Sequence, residues 1–223
     1  MIKSRTRLAI FDCDGTLVDS QANICMAMEH AFEGAGLLPP LRHDIRRVVG
    51  LSLVESMRVL LPDADDKTHH DLAEHYRAAF LTLRNNGLVD EPLYDGMAAL
   101  LSELDEDGWS LGVATGKSDR GLIRCLDHHA IKGLFVTLQT ADRHPSKPHP
   151  SMVYQALADA GVDARDAVVI GDTVYDIHMG RAAGTRTVGV NWGYHSVAEL
   201  REAGADYIAE SMDDLNAYLK DFA

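Results

Sequence analysis

The chain has 223 residues, 46% of them hydrophobic and 25% charged, with a net charge of −13. That composition is ordinary for a globular protein with room for one large domain or a domain carrying an insertion. The acidic balance argues against a nucleic-acid backbone or an anionic membrane surface as partner, and any anionic ligand must be drawn in by local cations. No stretch approaches the ~20 consecutive apolar residues that span a bilayer. The three cysteines, Cys13, Cys25 and Cys125, have no metal-like spacing. Their odd number and an N-terminus without an apolar leader region point to a reducing compartment, the cytoplasm.

Residues 8–20 read LAIFDCDGTLVDS. An apolar run leads into Asp12, Cys13 and Asp14, then Gly15 and Thr16, so a buried strand ends in two carboxylates two residues apart. Side chains at i and i+2 of a strand point the same way, and two like charges on one side need a cation or a proton between them. Cys13 is expected to be a small side chain facing the core.

From Gln21 to about Val89 there is helical periodicity and no convincing strand. MAMEHAFEGAG, DIRRVVG, VESMRVLLP and the run from Lys67 to Asn85 read as four helices. NNG (85–87) and EPLYDG (91–96) punctuate the return. The expected organisation is a core of residues 1–19 and 91–223, with a helical insertion over 20–90 that covers one end of the sheet.

Beyond it, short apolar runs recur at 109–116, 133–140, 167–172 and 185–191. Continuous runs of this kind suit strands buried on both faces, as in a parallel sheet. Between them lie helical patterns: DGMAALLSELDED (95–107), a helix capped by Ser118 and Asp119, one from Met152 to Ala160 stopped by Gly161, and one over 174–183 closed by Gly184. Alternating strands and helices predict a doubly wound, Rossmann-like α/β parallel sheet with an inserted helical cap.

In such a sheet the ligand crevice lies at the carboxyl ends of the strands. That rim gathers Asp12 and Asp14 from the first strand, Thr115 and Gly116 from the second, Asp172 from the fourth and Asp176 one helical turn on. Lys147 joins them from the loop HPSKPHP. Clustered carboxylates with oxygen donors call for a hard divalent cation, Mg²⁺, neutralising Asp12, Asp14 and Asp172. A competing motif, VATGKS, lacks the first glycine of a P-loop because position 111 is Leu111.

DCDGTLVD (12–19), a hydrophobic-TG step (113–116), KP (147–148) and VVIGDTVYD (168–176) together resemble the four motifs of the haloacid dehalogenase (HAD) superfamily, and the small helical insertion resembles its phosphoglycolate phosphatase-like members. The resemblance spans nearly the whole chain and implies roles. Asp12 would be the nucleophile that forms an aspartyl-phosphate. Asp14 would be the acid and base, with its backbone carbonyl on the metal. Gly15, Thr115 and Gly116 would bind phosphoryl oxygens, and Lys147 would offset charge on Asp12 and the transferring group. Asp172 would ligate the metal, and Asp176 would hold Lys147 or a water on the metal.

The function this implies is an Mg²⁺-dependent phosphatase acting on a small phosphorylated metabolite, with phosphoglycolate as a candidate. A β-phosphoglucomutase-like mutase shares the four motifs, but the position three after Gly50, where its phosphate-gripping arginine aligns, is Leu53. A phosphoacceptor protein without enzymatic activity is the reading from a different class. A carboxylated substrate would need a cation on the cap, and Arg46 and Arg47, before Gly50, are the expected source. The histidine pairs at 69–70 and 128–129 are expected at the surface.

Overall fold

A computed structural model describes residues 6–222; the ends of the expected core, residues 1–5 and 223, lie outside them. Six strands form one parallel sheet: β1 (Arg7–Phe11), β2 (Trp109–Thr115), β3 (Phe135–Thr140), β4 (Ala167–Gly171), β5 (Arg186–Val190) and β6 (Tyr207–Ala209). Their order is β3-β2-β1-β4-β5-β6. The chain starts at the centre, winds out through β2 and β3, then crosses to β4, so the topological switch falls between β1 and β4, where a crevice opens at the strand ends.

Each face of the sheet has its own apolar layer, as the alternation of strand side chains requires. Leu8 and Ile10 of β1 pack with Met152, Val153, Ala156 and Met179, from α7 (Ser151–Ala160) and α8 (Val174–Ala183). Ala9 and Phe11 point the other way, onto Leu101 and Leu104 of α5 (Met97–Glu106), Leu122 and Leu126 of α6 (Asp119–His128), and Leu215 and Leu219 of α10 (Met212–Lys220). Cys13 is fully buried in this second layer, beside Cys125. A short helix, α9 (Val197–Glu202), precedes β6.

Between β1 and α5 the chain forms four helices: α1 (Gln21–Gly34), α2 (Arg42–Arg47), α3 (Leu53–Leu60) and α4 (Asp66–Asn85). They surround a separate apolar cluster that includes Ile24, Met28, Phe32, Ile45, Met57 and Leu72. The α2–α3 connection rests on the core. The Ser52 amide donates to Ser146 Oγ at 2.8 Å, and the Tyr175 hydroxyl donates to the Arg47 carbonyl at 3.1 Å. No helix among the described residues is long and apolar enough to cross a membrane.

Sequence and structure part in a few places. The run at 133–140 begins as a 3₁₀ turn over Lys132–Leu134, so β3 starts at Phe135. The edge strand β6 was not anticipated, because three residues are too few to show a period. His69 is buried with Nε2 2.9 Å from the Leu61 carbonyl, which corrects the expectation of a surface pair at 69–70. His129 meets the Glu91 carbonyl at 2.7 Å.

Candidate active site

The strand ends deliver the charged groups. Asp12 leaves β1 with its amide donating to the Ile170 carbonyl at 2.9 Å, as though the β1–β4 ladder continued by one rung. Its side chain is 1% exposed. Asp172 follows β4 directly, and Asp176 lies in the first turn of α8, where it forms a reciprocal cap with Thr173. Asp176 Oδ2 accepts from the Thr173 hydroxyl at 2.7 Å and its amide at 3.1 Å. Ligand oxygens of Asp12, Asp172 and Asp176 all lie within 4.8 Å of one another.

Lys147 reaches this cluster from the loop between β3 and α7. Its ammonium, fully buried, stands 2.6 Å from Asp176 Oδ1 and 2.9 Å from Asp12 Oδ1. Burial works against that ammonium, but Asp12 and Asp176 more than offset it, so its pKa rises. Asp12 is pushed up to about 7, chiefly by burial, with Lys147 opposing and Asp176 and Asp14 adding to the rise. Asp172 lies well above the usual carboxylate range, from burial first and then from Asp12 and Asp176. One ammonium does not balance three buried carboxylates.

Two further observations bear on a metal. Asp12 Oδ2 is buried and has no hydrogen-bond partner among the described residues. Asp172 is oriented by the Thr16 hydroxyl on Oδ1 at 2.8 Å and the Tyr194 amide on Oδ2 at 2.9 Å. An all-oxygen donor set with excess negative charge and an orphaned carboxylate oxygen fits a hard divalent cation.

Asp14 stands apart, which corrects the expectation that its carboxylate shares the neutralising cation. The side chain accepts from Ser20 Oγ and, at 2.6 Å, from Lys117 Nζ. Lys117 is also 2.9 Å from Glu91 Oε1, and Glu91 pairs with Arg84 at 2.8 Å. Burial opposes the Lys117 ammonium, but Asp14 and Glu91 hold its pKa well above normal. Both contacts fall on Asp14 Oδ1, and Asp14 is not part of the cluster of Asp12, Asp172 and Asp176. Its carboxylate is tied instead to residues at both ends of the insertion.

Glycine is required at two points. Gly15 has φ +87°, and a Cβ there would lie 2.3 Å from Asp172 Oδ2. A Cβ on Gly116 would lie 2.5 Å from the Leu51 carbonyl oxygen, where the α2–α3 connection meets the end of β2. Thr115 is buried beside it and accepts from the Lys117 amide at 3.2 Å.

Asp12, Asp14, Thr115 and Gly116 line one cavity of about 610 Å³ between the sheet end and the insertion. Arg46 and Arg47 do not line it, contrary to expectation. Arg47 pairs with Glu199 at 2.7 Å and the Arg46 side chain turns back onto the Arg42 carbonyl. Leu53 does line it. His144 is held by Ser151 and Gln139 at 2.8 Å each. Sequence reasoning passed over Ser20 and Glu91. Lys117 alone carried a signal, since it directly follows the TG step.

A family profile described as haloacid dehalogenase-like hydrolase matches residues 9–190. The chain is 31% identical over 218 residues to the pyrophosphatase PpaX of Bacillus pumilus, covering 97% of this chain and 98% of that protein. It is 28% identical to a phosphoglycolate phosphatase of Nitrosococcus oceani, covering 97% of each. The crystal structure of a predicted phosphatase from Clostridium acetobutylicum superimposes with a TM-score of 0.86 at 28% identity, over 97% of this chain and 99% of that one.

Proposed function

The chain belongs to the haloacid dehalogenase-like hydrolase family and is a phosphatase; on that premise we propose that it hydrolyses a small phosphate monoester through Asp12, with Mg²⁺ as its cation and residues 20–90 as a cap over the reacting groups. The observation that carries this reading is the state of Asp12. One of its oxygens is fixed by the Lys147 ammonium, the other has no partner among the described residues, and the residue lines the cavity.

In this reading Asp12 attacks phosphorus in line, forming an aspartyl-phosphate as the bond to the ester oxygen breaks. Lys147 offsets charge on Asp12 and on the phosphoryl oxygens, and Thr115 and the Gly116 amide hold those oxygens. Asp14 gives a proton to the departing alkoxide and then takes one from the water that hydrolyses the intermediate. Lys117, shared between Asp14 and Glu91, can shift its weight to Glu91 when Asp14 carries a proton. Asp176 and Thr173 keep Lys147 in position. The Asp12 and Asp172 carboxylates and the Asp14 carbonyl would hold the cation. When bound, it supplies positive charge that offsets the clustered carboxylates and the transferring group.

The three free cysteines, all buried, support the cytoplasm as the working compartment. Phosphoglycolate, named for one relative, is among the first esters to assay. Phosphate release from p-nitrophenyl phosphate tests the reading. It should require Mg²⁺, stop in EDTA, fail to recover with Ca²⁺, whose longer bonds and higher coordination number misplace the reacting groups, and fall by several orders of magnitude in a folded Asp12→Asn variant. Full activity in excess chelator, or near-normal turnover by Asp12→Asn, would overturn it.

A further inference from the structure

The cavity is larger than a phosphoryl group and a two-carbon leaving group need. Its volume of about 610 Å³ lies within the ~300–1,000 Å³ of pockets that enclose drug-sized ligands. Away from Asp12 and Asp14 its wall has two characters. The insertion contributes Met28, Val54, Tyr76, Phe80 and Leu81, an apolar and partly aromatic side. The core contributes Arg120 and Arg124 from α6, four residues apart and so on one helix face.

The other charges on the wall outside Asp12 are already engaged. Arg77 pairs with Glu74 and Arg84 with Glu91. Lys117 holds Asp14 and Glu91, and Asp142 accepts from the Asp119 amide at 2.9 Å. Among the described residues Arg120 and Arg124 have no ion pair and no side-chain hydrogen bond. An exposed arginine on a helix is ordinary. Two unpartnered guanidinium groups on the wall that ends at Asp12, in a chain of net charge −13, are not.

We infer that the ester's leaving group is an amphiphile: an apolar body seated against Tyr76, Phe80 and Leu81, bearing its own anion, a carboxylate or a second phosphate, held by Arg120 and Arg124. Guanidinium groups suit such anions because their planar donors pair with two oxygens at once. This inference rests on the phosphatase reading and sharpens its substrate class.

The test compares kcat/KM for phenyl phosphate, 4-carboxyphenyl phosphate, 1,4-phenylene bisphosphate and phosphoglycolate, in the native protein, in Arg120→Gln/Arg124→Gln and in Arg120→Lys/Arg124→Lys. The native protein should favour at least one anionic aryl ester over phenyl phosphate by tenfold or more, mainly through KM, and over phosphoglycolate as well. The better of the two anionic esters identifies the anion. The glutamine pair should lower the ratio of anionic to neutral ester by about tenfold, and the lysine pair should restore much of it. Phosphoglycolate as the best substrate, or an anionic preference that is absent or insensitive to both arginines, would overturn the inference and leave the phosphatase reading standing. Hydrolysis that survives Asp12→Asn would remove that reading, and the inference with it.

Discussion

Replacing Asp172 with Asn should stabilise the metal-free protein and destabilise it relative to the native chain once Mg²⁺ is added. Asp172 is fully buried, with Asp12 and Asp176 oxygens within 4.8 Å and Lys147 directed at those two neighbours rather than at it. At that separation and an effective dielectric constant of about 20, one pair of unit charges repels by about 3.5 kcal/mol. At a pH where all three carboxylates are ionised, the two carboxylates and one ammonium leave Asp172 facing roughly one uncompensated repulsion. Asn removes it but spoils one charged hydrogen bond, to the Tyr194 amide or the Thr16 hydroxyl, at about 1.5–3 kcal/mol. The net gain is about 0.5–2 kcal/mol, worth about 2–4 °C of Tm per kcal/mol at this chain length. In Mg²⁺ at a hundred times its Kd the native protein gains about 2.7 kcal/mol, most of which the variant forgoes, so the order inverts. Thermal unfolding by circular dichroism in EDTA and in Mg²⁺ reads both. The gap in EDTA should also narrow as pH falls. A carboxyl whose folded pKa is raised is protonated in the folded chain first, and its destabilising effect vanishes near the unfolded value of ~3.9. A variant less stable than native in EDTA would show that Asp172 is already compensated, and the reasoning about a cation site would fail.

Lys147→Met, which removes the only ammonium within reach of Asp12 and Asp176 among the described residues, should cost about 3–5 kcal/mol of stability in EDTA by leaving buried charge uncompensated; a chemical denaturation midpoint unchanged from native would contradict it. Asp14→Asn should slow alkyl phosphates, whose leaving groups need a proton, far more than p-nitrophenyl phosphate; equal losses on both would remove the acid role. Gly116→Ala should displace the α2–α3 connection, because its Cβ has no room beside the Leu51 carbonyl, and raise KM for every ester; unchanged KM would mean that this contact does not shape the closed site.

The parts of this protein legible in its sequence are those with a local signature. The apolar runs before Asp12 and Asp172 and the helix stops at Gly161 and Gly184, which sit at φ +64° and +78°, each announce themselves within a dozen residues. Asp12, Asp172, Asp176 and Lys147 converge because parallel strands share a carboxyl end, which topology alone predicts. What stayed hidden depends on side-chain direction across long separations. Nothing near Asp14 says that its carboxylate turns to Lys117, 103 residues away, or that Glu91 joins them at the return from the insertion. Arg46 and Arg47 have the right charge and sit near the right glycine, yet the short helix α2 turns them from the cavity, and Glu199 takes Arg47. Arg120 and Arg124 carry no motif; only the cavity between the insertion and α6 makes them part of a wall.

The account stands on covalent chemistry at Asp12, and one measurement addresses it directly. The protein is mixed with Mg²⁺ and excess p-nitrophenyl phosphate, quenched in acid within a turnover, and treated with borohydride, which reduces an acyl phosphate to the alcohol. Peptide mass spectrometry should then find homoserine in place of aspartate at position 12, only when ester and Mg²⁺ were both present, with Asp14, Asp172 and Asp176 intact. Turnover with Asp12 unmodified at every quench time, or the mark at any of the other three carboxylates, would contradict it.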